Sequence, residues 1–228
     1  MGLVVAGPLG LVLGAVITPV LTDVLDRFLS KQEKSRIEKI AELAKKQIQE
    51  SLDKGQIPTG NASEPKIKEL FEGTLLAAKD SYEDRKIPLL ANLFAAAPFT
   101  NTPIDNMVQT LIYAEQLSYR ELCVLAIIGK NHWGTNPLGL NKKPLSTQGR
   151  KVIDEKTNGA YQDLNHLIVL GIVAQILSKG AGPAIASGVE MTAPANVMVQ
   201  YQGQLLINGL ELDLIDSIEL EEIAKILR

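Results

Sequence analysis

Hydrophobic and polar positions follow three different patterns along this chain. Met1 to Thr22 carries no charged side chain and is studded with Gly7, Gly10 and Gly14. A run this apolar is about the length that crosses a bilayer core, roughly 20 residues at 1.5 Å each. Pro8 and Pro19 interrupt it, because each removes a backbone donor and crowds the preceding turn. A kinked helix or a short helical hairpin over Leu3 to Leu29 therefore fits better than one straight rod. Ala6, Gly10 and Gly14 recur every fourth residue, the small-residue spacing that lets two helix backbones approach closely. Together with Gly7 and Ile17 they are the expected membrane or self-association residues. The competing expectation is an apolar hairpin packed under the domain.

At Ser30 the pattern becomes amphipathic. Ser30 and Glu33 have the spacing of a capping box, and Ile37, Ile40, Ala41, Ala44 and Ile48 form one apolar stripe. Glu42 with Lys46, and Glu50 with Lys54, stand one turn apart, and Gly55 is a natural stop. After the loop Gln56 to Ser63, further helices are expected from Ser63 to about Tyr82, from Pro88 to Ala97 and from Ile104 to Gln116. Ser118 and Glu121 form a second capping box before Leu122 to Ile128, which is apolar nearly all round and so belongs in the core.

The third pattern is punctuated. Gly, Pro and Asn break up Trp133 to Leu145, and a helix is expected over Tyr161 to Leu170. The β-prone runs Ile172 to Leu177 and Val197 to Ile207 flank the Gly- and Pro-rich stretch Gly180 to Pro194. Helix, helix, strand, loop, strand is the order of a winged helix, and a short acidic helix within Leu210 to Arg228 closes the chain. The expected fold is mainly α (α+β). An apolar arm plus amphipathic helix occupies 1–55, a helical core 56–132 and a winged-helix-like part with a few short strands 133–228.

Composition narrows the function. The chain is 46% hydrophobic but only 4% aromatic, and its net charge of -3 supplies no basic face for nucleic acid. The helix Tyr161 to Leu170 offers Gln162, Asp163, Asn165 and His166 but neither Lys nor Arg, so a winged module here suits protein contact better than DNA. Lys142, Lys143, Arg150 and Lys151 make a small cluster, not a stripe. Cys123 is a single thiol, which fits a reducing compartment. No basic n-region precedes the apolar start, so a cleaved signal peptide is not expected. Basic residues from Arg27 to Lys39 follow the arm, which would keep the bulk of the chain cytoplasmic with the arm on the inner membrane.

No catalytic constellation emerges. His132 and His166 have no second ligand at i+3 or i+4, so a zinc site is not expected. Gly180-Ala181-Gly182 lacks both the dinucleotide fingerprint and the P-loop ending. Glu83-Asp84-Arg85-Lys86 could pair carboxylates for acid–base work, but mixed charge at a helix junction more commonly makes surface salt bridges. Neither an enzyme nor a cofactor is expected.

Three segments carry a resemblance: Leu75-Leu76-Ala77-Ala78-Lys79-Asp80, Arg85 to Phe94 (RKIPLLANLF) and Ala114 to Cys123 (AEQLSYRELC). They resemble a group of uncharacterised bacterial proteins in which a glycine-rich apolar N-terminus precedes a charged helix and this core. More distantly, the core is similar to the abortive-infection alpha family of phage-defence proteins. The resemblance covers about Leu70 to Ile128 and carries over no catalytic residue. It implies a bacterial defence effector or accessory protein, with a protein partner, another copy or membrane lipid as its counterpart. The alternative from the residues alone is a soluble winged-helix adaptor or transcriptional regulator whose arm forms a dimer interface.

Overall fold

In the computed structural model, residues 8–27, 29–59, 63–131, 136–143, 145–146, 154–176 and 190–228 are described. The fold is mainly α. The chain divides into two compact units: residues up to Gln116 with Gly209–Glu211, and Leu117–Asn208 with Leu212–Arg228. The sequence placed divisions instead near residues 55 and 132. The amphipathic helix joins the first unit because its stripe packs on the helices that follow it, and the second unit opens with a largely buried helix.

The first unit begins with α1, Pro8–Leu25. Within the described residues the arm forms one helix, where the expectation over Leu3 to Leu29 is a kinked helix or a short hairpin. Pro8 stands at its first position, where a missing N–H costs nothing, while Pro19 lies inside the helix and removes one backbone bond. α2, Lys31–Asp53, starts at the expected capping box: Ser30 N donates to Glu33 Oε2 at 2.7 Å, and Glu33 N to Ser30 Oγ at 3.2 Å. All five stripe residues, Ile37, Ile40, Ala41, Ala44 and Ile48, are buried. Lys46 pairs with Glu50 at 3.7 Å, where the expected partners were Glu42 for Lys46 and Lys54 for Glu50.

α3, Glu64–Asp80, and α4, Lys86–Ala96, enclose the centre of this unit with α2, and a single 3-10 turn, Ala97–Phe99, extends α4. Phe71 and Phe94 stack at a centroid distance of 4.4 Å, tilted by 38°. Each ring is fully buried, which contributes roughly 1.5–3 kcal/mol of hydrophobic stabilisation per side chain. α5, Ile104–Gln116, lies close to α3, since a Cβ on Gly73 would meet Leu111 Cδ2 at 3.0 Å. The segment Gly209–Glu211 is held tightly in the same unit. A Cβ on Gly209 would meet Leu93 Cδ1 at 2.9 Å, Leu210 is fully buried, and Leu210 O accepts from Asn92 Nδ2 at 3.1 Å.

The second unit is built around α6, Tyr119–Lys130, whose residues from Tyr119 to Ile128 are buried apart from Arg120. Its capping box forms as expected, with Ser118 N donating to Glu121 Oε2 at 2.6 Å and Glu121 N to Ser118 Oγ at 3.2 Å. α7, Glu155–Val169, begins before the expected Tyr161 because Asp154 caps it, accepting from Thr157 N at 2.9 Å. β1 (Leu145–Ser146) pairs antiparallel with β3 (Glu190–Met191), and β2 (Val173–Gln175) pairs antiparallel with β4 (Val197–Val199). Along the chain the order is α6, β1, α7, β2, β3, β4, so two further short strands interrupt the expected order of helix, helix, strand, loop, strand.

The run Val197 to Ile207 reads as β-prone in the sequence. Only Val197–Val199 is extended, and α8, Tyr201–Gly209, takes over. Two observations explain the switch. Gly203 and Leu206, three residues apart, are the buried positions of this stretch, which is helical spacing. The Ile172 carbonyl lies 2.5 Å from where a Gly203 Cβ would stand, so the glycine lets the helix seat directly on the chain before β2. The acidic C-terminal segment resolves into a 3-10 turn, Leu212–Leu214, and α9, Ser217–Leu227, capped by Asp216, whose carboxylate accepts from Ile218 N at 2.9 Å. α9 ties to α6 through Tyr119 Oη, which donates to Glu219 Oε2 at 2.5 Å.

Candidate functional site

Of the expected association residues, Ala6 and Gly7 lie outside the described residues. Gly10 and Gly14 lie in the first half of α1, and Ile17 is 4% exposed in the core of the first unit. Val16 and Val24 are fully buried beside it, and α1 packs on α3 and α2. Val16, Ile17 and Val24 are spaced as one helical face, so the second half of the arm is an ordinary amphipathic contact. Thr18, Pro19, Thr22 and Asp23 form the exposed side. Arg27 closes this end, pairing with Asp23 at 3.0 Å and with Glu72 of α3 at 2.5 Å. Among the described residues no helix is long and apolar enough to cross a membrane.

The polar groups singled out in the sequence are drawn into interhelical ties. His166 Nδ1 meets Glu121 Oε1 at 2.5 Å, linking α7 to α6 at the edge of the core. Burial pushes the Glu121 carboxyl up, but the Ser118 N–H, the His166 ring and the Ser118 hydroxyl outweigh it and hold Glu121 below the usual glutamate range. One turn away on α7, Asp163 accepts from Arg120 Nε at 2.5 Å and Nη2 at 3.0 Å, a bidentate pair. Gly159 makes that reach possible, since a Cβ there would stand 3.1 Å from the guanidinium. Two of the four polar side chains that α7 could have turned toward a DNA groove, Asp163 and His166, are therefore engaged inside the unit. His132, Trp133, Arg150, Lys151 and Gly180 to Gly182 lie outside the described residues.

The junction Glu83 to Lys86 separates into two environments. Asp84 takes the surface salt bridge expected of such a stretch, with Arg36 Nε at 3.0 Å. Lys86 turns inward instead and is 6% exposed, with Nζ donating to the Glu115 carbonyl at 3.4 Å. Local sequence does not mark this position, because Lys86 looks like one more member of a charged run. Its helical position is the missing signal: it opens α4 beside Ile87, which is fully buried. Ala77, Asp80, Ser81 and Leu90 close a recess of about 160 Å³ around Lys86 and Glu115. Burial holds the Glu115 carboxyl above the usual range, with Lys86 acting in the opposite direction. A recess of this size holds a few waters, not an organic substrate.

Among the described residues no group of three His, Cys, Asp or Glu side chains could hold a metal ion. Cys123 is buried in α6, the setting of an inert thiol. No protein-family model, curated protein or solved structure shows significant similarity to the chain.

Proposed function

We propose that this chain is a non-enzymatic bacterial defence protein of the abortive-infection kind, acting through an N-terminal arm that engages membrane lipid or a second copy of itself. The observation that carries this reading is the division within the arm. Its second half is anchored on the first unit by Val16, Ile17 and Val24, while the uncharged sequence that precedes them carries Ala6, Gly10 and Gly14 at the spacing of close helix contact. An arm fixed at one end and uncharged at the other suits a conditional attachment better than a permanent span. The chain would then reside in the cytoplasm, with the arm meeting the inner membrane. The resemblance of Leu70 to Ile128 to phage-defence proteins agrees with this role.

A second reading, a soluble adaptor, has its own support. Val169 at the end of α7, Met198 on β4 and Tyr201 at the start of α8 are exposed in the second unit. Exposed apolar groups of this kind suit protein contact.

Fractionation of the untagged chain, with and without phage infection, tests the first reading. The native chain is expected to pellet with membranes or to sediment as a higher oligomer. The double substitution V4K/V5K, placed upstream of the anchored residues, is expected to shift it to a soluble monomer with an unchanged unfolding temperature. A native chain that stays a soluble monomer in both conditions, or a variant that keeps full protection against phage, would overturn it.

A further inference from the structure

On α7, His166 presents an imidazole whose two nitrogens are in unlike settings. Nδ1 lies 2.5 Å from Glu121 Oε1. Glu121 is ionised at neutral pH: its Oε2 accepts from Ser118 N at 2.6 Å, and its donors hold the carboxyl below the usual glutamate range. An ionised carboxylate only accepts, so the proton between the two groups belongs to Nδ1. In the neutral ring the lone pair is then fixed on Nε2. Among the described residues Nε2 has no hydrogen-bond partner.

Three features make that nitrogen more than the far end of an interhelical tie. First, the ring is open. The His166 side chain is 45% exposed and that of Glu121 only 10%, so the carboxylate backs the ring from inside. Gln162, one turn before His166, and Val169, one turn after it, are exposed as well, which places the ring on a helix face. Second, the ring is held. Arg120, next to Glu121 on α6, grips Asp163, three residues before His166, through bonds of 2.5 and 3.0 Å. The two helices are thus tied twice within one turn. Third, an apolar surface adjoins the ring. Val169 and Tyr201 are both exposed, and Gln200 N donates to Ile172 O at 2.9 Å, which brings the start of α8 beside the end of α7. Exposed apolar groups of this kind suit a docked protein.

The chemistry open to such a nitrogen is narrow. One imidazole is too few ligands for zinc, and among the described residues no group of three His, Cys, Asp or Glu could hold a metal. A helix face does not enclose a small substrate, which leaves nucleophilic attack on a group delivered by another protein. An acyl group on imidazole is lost quickly to water, whereas a phosphoryl group there persists and can be passed on. An acyl phosphate brings its own good leaving group and needs no nucleotide cradle beside the ring.

We propose that His166 Nε2 is a phosphoryl acceptor, loaded from an acyl phosphate on a partner protein that docks over Val169 and Tyr201. The Nε2 lone pair attacks phosphorus and an N–P bond forms. The P–O bond to the acyl group breaks, and the partner's carboxylate leaves with the electron pair. Nδ1 keeps its hydrogen, and Glu121 balances the positive charge that the ring gains. Glu121 is thus a positioning residue that fixes which nitrogen reacts. The assignment does not depend on the N-terminal arm.

The test uses the full-length chain carrying H132Q, in which His166 is the one histidine left. Potassium phosphoramidate is the probe, read by intact mass and by phosphorus NMR, which distinguishes the two phosphoimidazole isomers. One phosphoryl group is expected, on Nε2 alone. E121Q, checked for folding by circular dichroism, is expected to react at least about tenfold more slowly, the loss of one charge-assisted contact to the ring. Native chain isolated without acid from host cells, before and after phage infection, is expected to carry phosphohistidine at His166 in at least one state. H166Q should lack it and V169K should carry several-fold less. Nδ1 product in the native chain, an E121Q rate equal to the native one, no phosphohistidine from cells in either state, or a V169K level equal to native would each overturn the assignment.

Discussion

At the scale of single residues, the carboxylates of this protein are set apart by what surrounds them. Glu121 caps α6 and holds the His166 ring, and those donors keep its carboxyl below the usual glutamate range despite burial. A carboxyl with a depressed folded pKa adds stability that is present above its unfolded pKa and lost as pH falls through the folded one. Glu115 is the opposite case: burial raises its folded pKa, so its contribution is present at low pH and lost as pH rises. Chemical unfolding followed from about pH 7 down to pH 3 should therefore show acid loss of stability that E121Q flattens and E115Q steepens. A native-like acid profile in E121Q would mean the Glu121 contacts are not formed in solution. The half of this arrangement that was legible in the sequence is Ser118 with Glu121, a spacing rule. The His166 contact crosses from α7 to α6, and no local spacing encodes which face of α7 turns inward.

Among the elements, helix starts were the best-marked features of the sequence where a side chain caps them. Ser30 and Ser118 each accept from the backbone three residues on and receive the glutamate in return, whereas Ser63 stands at the N-cap of α3 with no side-chain bond. Losing a capping side chain costs about 1 kcal/mol. S118A and S30A should each lower the unfolding free energy by about that amount, and S63A should change it by less than about half as much, measured by urea denaturation. Equal losses at all three serines would remove capping as the cause. The same logic explains what the sequence concealed. The run from Val197 looks β-prone throughout, yet Gly203 seats α8 against the Ile172 carbonyl, and a close approach of two backbones leaves no periodic trace. Pro8 stands at a helix start, a placement a helix tolerates, whereas Pro19 lies inside α1, which continues through it without one backbone bond.

For the whole molecule, the informative departure from sequence order is the segment Gly209–Glu211, which belongs to the unit otherwise formed before Leu117. Hydrophobic periodicity assigns Leu210 to the acidic C-terminal helix, because nothing in its neighbours marks a partner more than a hundred residues earlier. Its environment is nonetheless that of a core residue: fully buried, with its carbonyl bonded to Asn92 Nδ2 at 3.1 Å across a separation of 118 residues. Such a contact closes a long loop, so its formation costs chain entropy that the burial must offset. L210A removes most of the buried side chain but keeps the backbone carbonyl, and a leucine-to-alanine change in a core costs about 2–5 kcal/mol. The loss should appear in hydrogen exchange as weakened protection of α4, Lys86–Ala96, whose Leu93 and Asn92 clamp the segment. If α4 protection in L210A equals that of the native chain, the segment does not stabilise the first unit. The strain at Glu211 then also loses its cause, because a segment free to relax would not hold a non-glycine residue at φ 52°.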